Sequence, residues 1–360
     1  MTRAVRAFAL LGLLAVICSA CSLRSLGSSS SAAAKPADLY AGSPTASDAN
    51  ALLGGGTWWT AAPTFQIKPL NDATFPPGVS FLLIRRFTNV GTAEWWRVRY
   101  FQYDSSSNAT LAMTAAQDQF GTGNSGKKVG DQVDYLERKI SNAADTGAPY
   151  ETFTLIRVGS VFIESIWLKN DGFPSLDAQG KLADRLASGV KNVLAGKVHG
   201  TQLSANELAT LPPPNANITL LSAVRLPIEA WPLMLNLATP TTLVDALKSD
   251  QINEFVFGDY VLDSDTHMEV LASVLTFPSA SRASDAFNAF KGSDTLGPNG
   301  VLAFYNDAAG EYEYFIVSGV RLGLLICKST AELDVREAAS RACEMPLETV
   351  AGAWPSSISG

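Results

Sequence analysis

The alternation of apolar and polar residues lays out the elements of this chain. Trp96, Val98 and Tyr100 alternate with Arg97 and Arg99, the period of two that a strand with one wet face produces. After Ser105 to Ser107, which offer N-cap hydroxyls, the period changes. Leu111, Ala112, Ala115 and Ala116 fall at helical spacing. Gln132 to Arg138 reads as the next strand, with Val133 and Tyr135 on one side. YETFTLIRVGSVFIESIWL then predicts a hairpin turning at Gly159-Ser160, and Leu176 to Leu194 a closing helix. The same order recurs downstream. Two strands from Phe255 are followed by a helix capped by Ser279 or Ser281, with Ala283, Ala286, Phe287 and Phe290 in one stripe that ends before Lys291-Gly292. EYEYFIVSGVRLGLLIC turns at Ser318-Gly319, and a closing helix is expected from Ala331 to Val350, broken by Pro346. The two hairpins are the most apolar runs of each half, which places them at the centre of a sheet.

A shift of 174 residues aligns the halves without a gap from Phe81 and Phe255 onward: Tyr103 falls on Phe277, Ser105 on Ser279, Ala109 on Ala283 and Met113 on Phe287. Shared order with few identities is what an old internal duplication leaves. The expected fold is α+β: two related modules, each an antiparallel sheet with helices packed mainly on one face. The expected boundaries are an export signal at 1–20, a lipidated flexible tether at 21–55 and a first module at 56–200. A linker follows at 201–253, marked by Pro212, Pro213 and Pro214 and carrying a short helix in TTLVDALKS capped by Thr241 or Thr242. The second module is expected at 254–360.

The N-terminus bears on the compartment. Arg3 and Arg6 precede the apolar run FALLGLLAVI, too short for a membrane span of roughly 20 residues and suited to an export signal. Ser19-Ala20 directly before Cys21 resembles the lipobox of bacterial lipoproteins, with Cys18 where those signals carry Leu; the resemblance implies cleavage before Cys21 and a lipid on its sulfur. The Ser-, Ala-, Gly- and Pro-rich stretch behind it is too poor in large apolar residues to fold by itself.

Charge and cysteines narrow the field further. Of 27 Lys and Arg against 34 Asp and Glu, the signal takes two cations, so the formal charge moves from −7 to −9. An acidic body is a poor match for nucleic acid, which is held by clustered Lys and Arg. With Cys18 removed and Cys21 lipidated, Cys327 and Cys343 remain, an even pair expected to form a disulfide in an oxidising compartment.

GTGNSGKK from Gly121 imitates a nucleotide-binding loop, but it follows a helix and leads into a strand, the reverse of a phosphate-binding loop, and Lys128 stands where the magnesium-binding hydroxyl belongs. No nucleotide, metal or other cofactor is expected. His199 and His267 have no Cys/His partners at metal-ligand spacing and no nucleophile elbow. DSDTHME, with Asp263 and Asp265, reads as a charged hairpin tip. Glu164, inside VFIESIWL, is expected on the face of Phe162 and Ile166 or at a strand edge. The tandem pairs Trp58-Trp59 and Trp95-Trp96 point alternate members to opposite faces, so each pair offers one ring for a binding surface or for the seam between domains.

The signal, the Ser-rich tether and phrases such as SVLTFPSASRASDAFNAF, a strand ending in Phe-Pro-Ser before an Ala-rich helix, resemble actinobacterial-type envelope lipoproteins of uncertain role. The body loosely resembles PsbP-like α/β sandwich modules, which implies a binding or accessory role and transfers no site residue. The expectation is therefore a non-enzymatic protein held to the cell membrane by lipid on Cys21 and binding an envelope protein or component. A carrier with an apolar ligand between sheet and helices, and a hydrolase with dispersed carboxylates, are the alternatives.

Overall fold

The computed structural model describes residues 33–358 apart from 68–76, 93, 122, 141–149, 214–216, 236, 238–239, 298–299, 307–309 and 330–342. The export signal, Cys21 and most of the segment expected to begin the last helix lie outside the described residues.

The chain forms two antiparallel sheets with the same strand order. The first is built from β1 (Trp58–Thr60), β2 (Thr64–Ile67), β3 (Val79–Asn89), β4 (Trp95–Tyr103), β5 (Gln132–Lys139), β6 (Tyr150–Val158) and β7 (Val161–Lys169). Its order is β1-β3-β4-β7-β6-β5, with β2 also on β3. The second uses β8 (Ile218–Pro227), β9 (Glu254–Leu262), β10 (Asp265–Thr276), β11 (Leu302–Asn306), β12 (Glu311–Ser318) and β13 (Arg321–Ser329), in the order β8-β9-β10-β13-β12-β11. Reading β3 as β9, β4 as β10 and the following hairpins as equivalents, the two orders coincide.

The helices recur at the same places. They are α1 (Pro36–Gly42), α2 (Ala46–Leu53), α3 (Ser106–Phe120), α4 (Leu176–Leu194), α5 (Ala205–Leu208), α6 (Ala230–Met234), α7 (Pro240–Ser249), α8 (Ala280–Lys291) and α9 (Glu344–Ile358). Helices α3 and α8 each follow the second long strand of their sheet. Each starts on a serine whose hydroxyl takes an amide proton three residues on, Ser105 from Asn108 at 3.2 Å and Ser279 from Arg282 at 3.3 Å. Each stops at a glycine with positive φ, Gly121 at 90° and Gly292 at 53°.

The fold class is the one expected, with one correction of layout. Helices cover both faces of each sheet. In the first sheet α3 buries Ala109, Ala112 and Met113 with Ile84, Phe101 and Phe162, whereas α4 buries Leu182, Leu186 and Val190 with Leu83, Val98 and Ile163 on the opposite face. In the second, α8 packs with Phe257, Leu271 and Leu324, and α9 with Val270, Ala272 and Leu325. The central strands are apolar on both sides (Ile163, Leu168 and Leu324 to Ile326 are all nearly inaccessible), so neither face can be left to water.

Three boundaries also differ from expectation. The tether expected through residue 55 gives way to α1 and α2, and the compact body starts at Ala34. Composition hid the anchors: Leu39 and Ala49 are fully buried, and Thr45 and Asp48 form a reciprocal capping box. Arg185 of α4 clasps this arm, donating from Nε and Nη2 to the two oxygens of Asp48 at 3.0 and 2.9 Å and to the carbonyls of Gly42 and Ser43. From the sheet, the buried Arg85 guanidinium lies 4.4 Å from the centre of the Tyr40 ring and donates to Thr60 Oγ1 at 2.9 Å.

The stretch 201–253 is more than a linker, because β8 is the edge strand of the second sheet and the counterpart of β1. Helix α7 begins at Pro240, whose fixed φ suits a first turn, so Thr241 and Thr242, expected as caps, lie inside it. The closing helix runs on to Ile358, with Pro346 tolerated in its first turn and Pro355 inside it. The first long strand slips by one residue against the ungapped alignment: Ile84 faces Arg99 and Phe257 faces Ser273, an offset of 173 on β3 where β4 keeps 174.

Candidate functional site

The tandem tryptophans are mostly interior. Trp58 is fully buried, and its indole N–H donates to Gly54 O at 2.7 Å. Trp96 is equally inaccessible; it stacks on Phe87 at 4.6 Å and donates to Ser165 Oγ at 2.8 Å. Trp59 is 7% exposed and joins the core of the second module, together with Ala62. Trp95, half-buried with the Arg97 guanidinium 5.7 Å from its ring, is the member of the four nearest to solvent. The surface-binding role expected of Trp58, Trp59 and Trp96 is thus corrected. Adjacent side chains of β1 point to opposite faces, and here one face is the first core and the other is the seam between modules.

The remaining candidates resolve as follows. The stretch from Gly121 connects α3 to β5, so it follows a helix and leads into a strand; Lys127 pairs with Asp184 at 3.2 Å. His199 is exposed, 3.9 Å from Asp38, and the side chain of His267 lies outside the described residues. Glu164 sits on the face of Phe162 and Ile166, as one of the two expectations had it, and takes hydrogen bonds from Arg99, from Nε at 2.9 Å. Among the described residues no three His, Cys, Asp or Glu side chains gather as metal ligands.

Two sites stand out, and neither showed in the sequence. The first is the seam. Arg86 on β3 stands directly opposite Arg97 on β4, a like-charge pair that repels within the sheet. Arg86 donates to Thr64 Oγ1 at 3.0 Å, and its charge reaches Asp259 of the second module. Asp259 is fully buried, and its Oδ2 accepts the Phe65 backbone N–H at 2.6 Å across 194 residues of sequence. Glu269, 3% exposed, projects from β10 on the same face, with Lys328 Nζ 3.9 Å from its carboxylate. Burial first, and then the charge of Glu269, push the Asp259 carboxyl well above the usual carboxylate range; the Phe65 amide, Lys328 and Arg86 pull the other way.

The second is a cleft at the end of β9 and β10 beside α5. It is lined by the apolar Phe255, Val256 and Val274 and by polar groups of both signs, Arg225 and Arg321 with Glu207 and Glu254, beside Asn206, Thr210 and Thr276. Glu207 accepts from Arg225 Nε at 2.7 Å. That bond, with those from Ser204, holds the Glu207 carboxyl down to about 2.

Cys327 of β13 and Cys343, directly before α9, form a disulfide buried in the second core. It staples the closing helix to the centre of the sheet, as expected from the pairing of cysteines. No helix of the described residues is long and apolar enough to cross a membrane.

No protein-family model matches the chain, and no curated protein does. Among solved structures, the extracellular domain of PknH from Mycobacterium tuberculosis is similar over 44% of this chain and 98% of that domain. The identity is 13% and the TM-score 0.36, a likeness that carries no argument.

Proposed function

We propose that this chain is an envelope protein held outside the cell membrane by lipid on Cys21, acting as a non-enzymatic binding or accessory module. The observation that carries the reading is the Cys327–Cys343 bond: such disulfides persist in oxidising compartments. It agrees with the leader in which Arg3 and Arg6 precede a short apolar run and Ser19-Ala20-Cys21.

Two observations favour binding over the alternatives. The space an apolar ligand would need between sheet and helices is taken by the fully buried Trp58, Trp96, Tyr100, Phe87, Trp231 and Phe257. Of the acids that converge, Asp259 and Glu269 are buried away from any substrate, and Glu207 and Glu254 at the cleft are both paired with Arg225. The cleft lined by Arg225, Arg321, Glu207 and Glu254 around Phe255, Val256 and Val274 is the surface we assign to the partner, since a few placed polar groups around apolar area are what a recognition site needs. The test is the intact mass of the protein from its native membrane fraction, with and without Cys21→Ala. A mature chain beginning at Cys21 with acyl mass, lost in the variant, supports the anchor. An unacylated, freely secreted chain sinks it.

A further inference from the structure

The buried carboxylates at the seam have an arrangement that a purely structural pair does not explain. In the register of β9 and β10, Asp259 faces Leu271 and Glu269 faces Val261, so the two acids are diagonal neighbours on one face of the sheet. One oxygen of Asp259 is taken by the Phe65 amide. The other, Oδ1, and Oε1 of Glu269 are both buried and make no hydrogen bond to the protein. Carboxylates ionised on both sides have only acceptors to offer each other. A single proton removes the conflict, because the O–H of one acid donates to the free oxygen of the other and satisfies both.

The surrounding charges do not remove the need for that proton. Lys328 approaches Glu269 from β13 at 3.9 Å, longer than a hydrogen bond. Arg86, from β3 of the other module, favours the ionised form of Asp259 less than Lys328 does, and also donates to Thr64. On β8, Ser222 faces Asp259 and carries no charge. On β12, Glu313 lies on the same cross-strand row but three strands away, beyond Leu271 and Ile326, and takes no part in the pair. Asp259 and Glu269 are thus buried side by side, with no accessible surface on the first and 3% on the second.

We propose that Asp259 holds a proton at neutral pH, its O–H turned to the free oxygen of Glu269, and that loss of this proton at higher pH loosens the contact between the two modules. Ionised Asp259 remains an acceptor for Phe65; what loosens the seam is the buried charge it then sets beside the Glu269 carboxyl, which pushes apart the strands that the Phe65 bond joins. The direction follows from linkage. A carboxyl whose ionisation is harder in the folded state contributes stability that is complete below the ordinary aspartate range near 4 and is lost as pH rises through the higher folded value. The seam is therefore tight in acid and slack in alkali, opposite to the usual carboxylate behaviour. This inference concerns the body alone and does not depend on the anchor or on any partner.

The experiment compares hydrogen exchange of the Phe65 amide in the intact protein and in Asp259→Asn at matched pH, at pH 5 and at pH 8. The amide keeps the bond to Phe65 through its oxygen and offers a fixed N–H to Glu269, so it stands for the protonated acid. The expected result is equal protection at pH 5 and at least tenfold faster exchange of the wild type at pH 8. Equal protection at both values overturns the proposal. Should Asp259→Asn fail to fold, Glu269→Gln makes the same comparison with the donor on the other side. Infrared difference spectra between wild type and either variant at pH 7 give an independent reading. A protonated-carboxyl band lost in the variant supports the proton on Asp259, and its absence from the wild type refutes it.

Discussion

Leu39→Ala tests whether the N-terminal arm belongs to the fold. Leu39 sits on α1, has no accessible surface and belongs to the same core as Leu186, Val190 and Val193 of α4. Removing a leucine side chain from a packed core costs about 2–5 kcal/mol, the spread reflecting how far the site collapses. Collapse is restricted here, because α1 is already pressed against α4: a Cβ on Gly189 would lie 2.1 Å from the carbonyl of Gly42. Loosening α1 also withdraws Tyr40 from the Arg85 guanidinium and frees the carbonyls that Arg185 binds. The upper half of the range is therefore expected, about 3–5 kcal/mol. Urea unfolding of the chain beginning at residue 22 reads it as a lower midpoint at unchanged slope. Limited proteolysis adds a local reading, with cleavage in 33–55 appearing in the variant before cleavage elsewhere. A free tether would tolerate the change within about 0.5 kcal/mol. An unshifted midpoint would refute the packing of the arm.

Three further outcomes follow from the same contacts. Gly189→Ala, which ordinarily stabilises a helix interior by roughly 0.5–1 kcal/mol, should instead lower the unfolding midpoint, since the new methyl meets the Gly42 carbonyl; a raised midpoint would contradict that approach. Reducing the Cys327–Cys343 bond, or replacing both cysteines by serine, should cost about 3 kcal/mol by the loop-closure estimate for some 15 enclosed residues, and should speed hydrogen exchange in α9 before β13. Burial works against ionisation of Asp48, but the bonds from Arg185 and Thr45 outweigh it and hold its carboxyl below the usual value. Its contribution is therefore present above the ordinary aspartate range and lost as pH falls through the lower folded value. Asp48→Asn should remove this acid-dependent release of the arm, followed by proteolysis between pH 5 and pH 2.

What the sequence showed of this fold was what local spacing can carry. The period of two in Trp96 to Tyr100, the serines before α3 and α8, and the glycine at the tip of the first hairpin all speak within a dozen residues of each other. The duplication was legible because that local order repeats. The N-terminal arm was not, because its burial rests on three large side chains, Leu39, Tyr40 and Leu53, in a composition otherwise typical of linkers. The Thr45-x-x-Asp48 capping box was the available signal. Edge strand β8 was missed for a related reason: its partner β9 lies beyond two intervening helices. The tryptophan pairs showed their opposite faces but not what covered them.

The seam was beyond reach of any local rule, yet the duplication gives it a physical sense. In the observed registers Arg97 and Leu271 hold equivalent positions, and so do the residues facing them across the strand pair, Arg86 and Asp259. The modules thus share a backbone while carrying opposite charges at one matched site, where the two sites feel each other. Had both kept the arginine, joining the modules here would bring like charges together in a closed space, at a cost that burial magnifies. Had both kept the aspartate, the site that already holds the buried Glu269 would gain a further acid. Opposite charges at equivalent positions favour the pairing of unlike modules over that of like ones, which is how a duplicated unit avoids docking onto a copy of itself in a second chain. The proton proposed on Asp259 then sets how firmly the unlike pair is held.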